Sequence, residues 1–293
     1  MQFQIFTYMF RPKTGNINES RSKTEDRDES RPMTRDRDES YRNFAHRREI
    51  LTEILLSYIS RIVKRDARFR YAYDIHHAFG QVFFFDIVYR PLGEVQVSHF
   101  FVIFDNRSGI QRIGIARPNG EASSEKLCKE IEKDLRGILD RYNLDIDIRP
   151  EYNEESFWSL CRSKQDLGIE YVQFHFPYPN LARISEMVGE YFNNIARETN
   201  SEPTLKLKGQ GGENLMINEE NEFLQSANGA CSKCGTKIEV KPKGEARIVV
   251  GVDSPVYVYI NSEMLNPSVI KEYYREEGKG FLDFLPQERP YKD

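Results

Sequence analysis

No apolar run in this chain approaches the roughly eighteen residues that a membrane-crossing helix needs, so none is predicted. The opening stretch, MQFQIFTYMF, has no basic cluster and no small-residue cleavage site, so no secretory leader is expected. Cysteine is sparse. Cys128, Cys161, Cys231 and Cys234 are the 4 cysteines in 293 residues, too few for a disulfide framework. Reduced thiols and a cytoplasmic location are expected. A dominant charge sign is also missing. The net charge is -4, so the whole molecule does not attract nucleic acid, and any such contact needs a local basic patch. There is no Ser-His-Asp order, no His-Glu-x-x-His and no nucleotide-binding glycine signature. The glycine-rich KGQGGENL lacks the Lys-Ser/Thr ending of a phosphate loop. No cofactor is therefore expected.

What is present supports a packed α+β protein. Hydrophobic residues make up 39% of the chain and charged residues 30%, enough to bury a core over most of its length. Residues 1–10 predict an N-terminal strand. A ten-residue repeat follows, ESRSKTEDRD from Glu19 and ESRPMTRDRD from Glu29, with a decayed copy from Glu39. It contains almost nothing apolar, and burial cannot offset its ordering entropy. Residues 11–46 are therefore expected to be a disordered insert. An α+β domain is expected over 47–200 and a C-terminal α+β subdomain over 201–293.

Within the first domain, Leu51, Ile54, Leu55, Tyr58 and Ile62 recur at helical spacing over 47–65. Strands at 81–90, 96–105 and 110–117 predict an antiparallel meander. Strands and helices then alternate. A helix capped by Ser123 or Ser124 runs to about Tyr142, and a strand spans 144–149. A short helix around 153–162 leads to a strand at 169–176 and a helix from Asn180 to Arg197. In the subdomain, TLKLK at 204–208 predicts a half-exposed strand. An acidic helix over 218–228 is expected to stop at Gly229. Strands at 236–241, 246–252 and 255–260 include a hairpin turned by KPKGE. A final helix starts at Asn266-Pro267.

Three pieces carry a resemblance: FFVIFDNRSGIQRIGIAR, GIEYVQFHFPYPN and LKLKGQGGENLMINEENEFLQSANG. Their order and punctuation resemble, over roughly 100–260, a family of uncharacterised bacterial proteins that occur near phage-defence genes. The resemblance implies a bacterial or phage-borne, cytoplasmic, defence-associated setting. It supplies no active site. The decapeptide repeat and the Cys231–Cys234 pair depart from the family pattern.

The residues offer four candidate chemistries. Cys231 and Cys234 form one Cys-x-x-Cys in SANGACSKCGTKIEV, but tetrahedral zinc needs four ligands and no second pair exists. Cys128, Cys161 and His175 are the remaining loose donors, and a shared site across a dimer is an alternative. Otherwise the pair is a tight turn with two ordinary thiols. A basic region holds Arg42, Arg47, Arg48, Arg61, Lys64, Arg65, Arg68 and Arg70 against Glu49, Glu53 and Asp66, interleaved with aromatics such as Tyr41, Phe44 and Phe69. Arginines that hold phosphates beside stacking aromatics suit nucleic acid. A solvated basic face of an amphipathic helix is the alternative. In IEVK, Glu239 and Lys241 share one strand face, as a metal-and-base nuclease pair requires, with Asp145 and Asp147 as upstream acids. Adjacent His76 and His77 point to opposite faces of a strand, with His99 expected on the next one.

Together these features predict a non-enzymatic binding protein that contacts nucleic acid or a partner protein, encoded nearby, through the basic 41–73 region, with no membrane partner. A metal-dependent nuclease using Glu239 and Lys241 is the alternative, as is a regulatory subunit without nucleic-acid contact.

Overall fold

The computed structural model describes residues 1–12, 49–54, 71–79, 82–89, 98–107, 110–116, 123–176, 199, 201–251 and 254–261. The fold is α+β, with antiparallel strands in two sheets. Its organising strand is β1, Gln2–Pro12. Every residue from Phe3 to Phe10 is buried, so both faces of this strand are covered. That explains its nearly unbroken apolar and aromatic run. The polar exceptions are bonded: the Thr7 hydroxyl donates to the Gln111 carbonyl at 3.1 Å, and the Tyr8 hydroxyl donates to Asn106 Oδ1 at 2.7 Å.

The predicted meander is present with one strand more than expected: β2 (Tyr71–Phe79) precedes β3 (Val82–Tyr89), β4 (Ser98–Asp105) and β5 (Arg112–Ala116). Each pairs with the next, and β1 lies on the far side of β5. The remaining edge of β1 is shared end to end. β6 (Leu144–Pro150) pairs along Phe6–Pro12, and β11 (Tyr257–Tyr259) pairs along Gln2–Gln4. Glu151 joins them: its N–H donates to the Ile5 carbonyl at 2.9 Å and its carbonyl accepts from Val256 N–H at 2.9 Å. The histidines fall differently from expectation. The β2–β3 register skips between Ile75 and His77, which places His76 at an irregularity. Strand β3 separates β2 from β4, so His99, opposite Val88, is not on the strand beside His76 and His77.

Helix α1, Ser124–Leu139, covers one face of this sheet. The Ser123 hydroxyl caps it, accepting from Lys126 N–H at 3.1 Å. Leu127, Ile131, Leu135 and Leu139 form its buried stripe and pack with Phe6, Tyr8, Phe10 and Ile146. Of the helix expected over 47–65, residues 49–54 are described; they are helical, with Leu51 and Ile54 buried.

The second sheet has the order β10–β9–β7–β8: Ile248–Val250, Ile238–Pro242, Ile169–His175 and Thr204–Lys208. Its inner face carries Val172, Phe174, Ile238 and Val240, packed with Phe157 and Trp158 of α2 (Glu155–Ser163) and Leu224, Ala227 and Ala230 of α3 (Glu222–Lys233). The boundary expected at 200/201 falls between β7 and β8, which pair with each other.

Helix α3 corrects one expectation. It does not stop at Gly229 but runs on to Lys233. Gly229 is a buried position inside the helix, not its stop. The left-handed residue after the helix is Gly235, at φ 59. A Cβ there would lie 2.4 Å from the Pro150 carbonyl oxygen, so this glycine also lets the helix end approach β6. The repeat segment, the helix expected over 180–197 and the helix expected from Asn266 lie outside the described residues.

Candidate functional site

Strand alternation sends every second side chain of the second sheet away from the helices. On β7 these are Tyr171, Gln173 and His175. On β8 the positions opposite them are Lys208, Lys206 and Thr204. On β9, Glu239 faces Gln173 and Lys241 faces Tyr171. On β10, Val249 lies opposite Glu239. Lys237 and Arg247 flank these strands. The result is a solvent-accessible sheet face with five cationic side chains: Lys206, Lys208, Lys237, Lys241 and Arg247. Lys206 Nζ lies 3.6 Å from the centroid of the Tyr171 ring, a cation–π contact that fixes the amine over the sheet. Glu170, on the irregular step between Ile169 and Tyr171, stands 4.0 Å from Lys208 at the margin.

Glu239 sits at the centre of this face with its carboxylate almost wholly covered. Lys237 Nζ reaches Oε1 at 2.9 Å and Arg247 reaches Oε2 at 3.2 Å. His175 Nε2 is 3.6 Å from Oε1. The hydrogen bond from Lys237 holds the Glu239 carboxyl below its ordinary range, and the charges of Lys237, Arg247 and His175 act in the same direction. Partial burial, then the Lys237 charge, push His175 downward, which favours its neutral form despite the neighbouring carboxylate. Lys237 and Arg247 remain half to two-thirds exposed at 51% and 63%, so both can accept another anion from solvent.

The Glu239–Lys241 pair does share one strand face. The surroundings do not make a cation site of it. Glu239 faces Gln173 and Val249 across its neighbouring strands, neither of them an acid. Lys241 donates its amine to the Glu245 carbonyl in the hairpin turn. Asp145 and Asp147 lie on β6, in the other sheet, where they pair with Arg136 and Arg149. Among the described residues no group of three His, Cys, Asp or Glu could hold a metal ion.

Cys231 lies in the last turn of α3 and Cys234 at its cap, both fully buried. Burial pushes the Cys231 thiol up to about 12 and raises Cys234 as well. The Cys231 Sγ donates toward the His175 carbonyl at 3.5 Å. Cys128 is on α1 and belongs to the other core cluster. All eight basic residues of the 41–70 stretch, Arg42, Arg47, Arg48, Arg61, Lys64, Arg65, Arg68 and Arg70, lie outside the described residues. No described helix is long and apolar enough to cross a membrane.

The cationic sheet face was not singled out from sequence. Its signal was present in the alternating Tyr-x-Gln-x-His of β7 and the Thr-x-Lys-x-Lys of β8. Only the pairing of these strands with each other and with β9 brings the charges together. Neither the family models, nor the curated proteins, nor the solved structures give a match to this chain.

Proposed function

We propose that this protein is a non-catalytic nucleic-acid-binding protein whose contact surface is the open face of the β8–β7–β9–β10 sheet. The observation that carries this reading is the set of five cations on one solvent-facing sheet, in a chain whose net charge is -4. Local concentration of positive charge against a negative total is how a surface attracts phosphates without making the whole molecule sticky. The basic stretch 41–70 belongs to the same proposal as a second phosphate contact. So does the bacterial or phage-borne, defence-associated setting implied by the family resemblance. Against the nuclease alternative stands the environment of Glu239, a carboxylate already neutralised by Lys237 and Arg247.

The test is binding of a labelled oligonucleotide across a salt series. Phosphate contacts release counterions, so log affinity should fall linearly with log salt. Replacing Lys206, Lys208 and Arg247 together by Gln should weaken binding and flatten that slope by about two units, at roughly 0.7 per lost contact on a single strand. Thermal stability should hold, since exposed charges usually matter by less than about 0.5 kcal/mol. Absence of binding to DNA and RNA at low salt would overturn the reading and leave the regulatory-subunit alternative.

A further inference from the structure

Beside the cationic face lies a cleft of about 300 Å³ between the first sheet's helix α1 and the β9–β10 hairpin. Its walls are apolar: Phe6, Ile148 and Pro150 from the first sheet, Tyr152, and Val250 from the second. Its charged groups are Lys129 and Glu125 on α1 and Lys237 on the other side. Lys237 and Val249 belong both to this cleft and to the cationic sheet face, so the two surfaces are continuous.

The cleft is built into the joint between the two sheets. Two glycines in unusual backbone conformations line it. Gly235, at φ 59, lies against the Pro150 carbonyl. Gly251, at φ 103, lies where a Cβ would come within 2.5 Å of the Tyr152 ring. Tyr152 is itself fixed, since its buried hydroxyl donates to the Thr236 carbonyl at 2.8 Å. These contacts fix the backbone at Gly235 and Gly251 and the Tyr152 ring where they border the cleft.

We infer that this cleft receives one unpaired base of a nucleic-acid strand whose phosphates lie along the cationic face, so that the protein selects single strands over duplexes. The inference rests on the proposed function and specifies its substrate class. The volume lies at the low end of the range that small-ligand pockets span, which suits one nucleoside. Apolar walls suit the flat face of a base, and the two lysines at the rim suit its phosphates. A duplex keeps its bases stacked and paired, and placing one here would cost a few kcal/mol of unstacking.

Two measurements test this. The first compares a single strand with a duplex of the same sequence at equal salt. The second repeats both with Val249→Trp, which fills the mouth from an exposed strand position, and with Lys129→Gln. Thermal unfolding verifies that each variant is folded. The expected result is at least tenfold tighter binding of the single strand, reduced to parity by Val249→Trp with the salt slope unchanged, and reduced severalfold by Lys129→Gln. Equal affinity for single strand and duplex, or a preference that survives Val249→Trp, overturns the base-pocket inference while leaving the cationic face intact. A protein that binds neither form overturns both.

Discussion

Glu239 is the residue on which the competing readings separate. Its carboxylate cancels part of the charge of Lys237 and Arg247, which lie 2.9 and 3.2 Å away. Replacing it by Gln keeps the shape and removes the negative charge. If the face binds phosphates, Glu239→Gln should tighten oligonucleotide binding, by about tenfold if 1.4 kcal/mol of repulsion is relieved. The cost to stability is modest, since the lost ion pairs are with half-exposed cations. A nuclease that used this carboxylate would instead lose cleavage. Oligonucleotide titration beside a cleavage assay in magnesium distinguishes the two. This residue shows the limit of sequence reading. The spacing Glu-x-Lys placed both side chains on one strand face, and they are on one face. What spacing could not supply is the neighbours: Lys237 is two residues before Glu239, but Arg247 and His175 arrive from other strands.

At the scale of elements, strong local patterns were legible. The three expected meander strands, helix α1 with a serine cap and the TLKLK strand follow from alternation, helical periodicity and cap chemistry, although Ser123 and Ser124 were equal candidates for the cap that Ser123 provides. Errors came where a residue type did not take its usual local role. Gly229 looked like a helix stop and is a buried helix position; Gly235 is the stop. That assignment is testable. Gly235→Ala forces a Cβ at positive φ and 2.4 Å from a backbone oxygen. Backbone strain of this kind costs about 1–3 kcal/mol, and the clash adds to it. A substantial drop in the thermal midpoint is expected, whereas an alanine at Gly244, also at positive φ but with open space around its Cβ, should cost less. Equal losses at the two positions would show that the approach to β6 does not matter.

For the whole molecule, the least legible feature is how the chain returns to its start. Nothing in MQFQIFTYMF says that its neighbours are residues 112–116, 144–150 and 257–259, because strand pairing over such separations is decided by the assembled core. The two sheets nevertheless meet in one core, where Met9 of β1 and Tyr152 belong to the cluster under the second sheet, and this predicts joint unfolding. Trp158, the single tryptophan, sits in the second core. Val258 is 5% exposed and packs with Phe3 in the first sheet. Val258→Asp buries an unpaired charge and should cost more than about 3 kcal/mol. If the molecule unfolds as one unit, the Trp158 fluorescence transition should shift to lower urea with it. A tryptophan transition that stays in place would mean that the second sheet melts alone.

The order of β1, β6 and β11 also bears on biosynthesis. Ribosomes release β1 before either β6 or β11, and the partner for its Gln2–Gln4 segment is made some 255 residues later. At about 5–20 residues per second, that wait is on the order of ten to fifty seconds. Throughout it, a nascent chain carries an aromatic strand with an open backbone edge, the kind of template that pairs with other chains. Slow translation or a shortage of holdase chaperones should therefore reduce the yield of soluble product, even for variants whose finished fold is as stable as the parent.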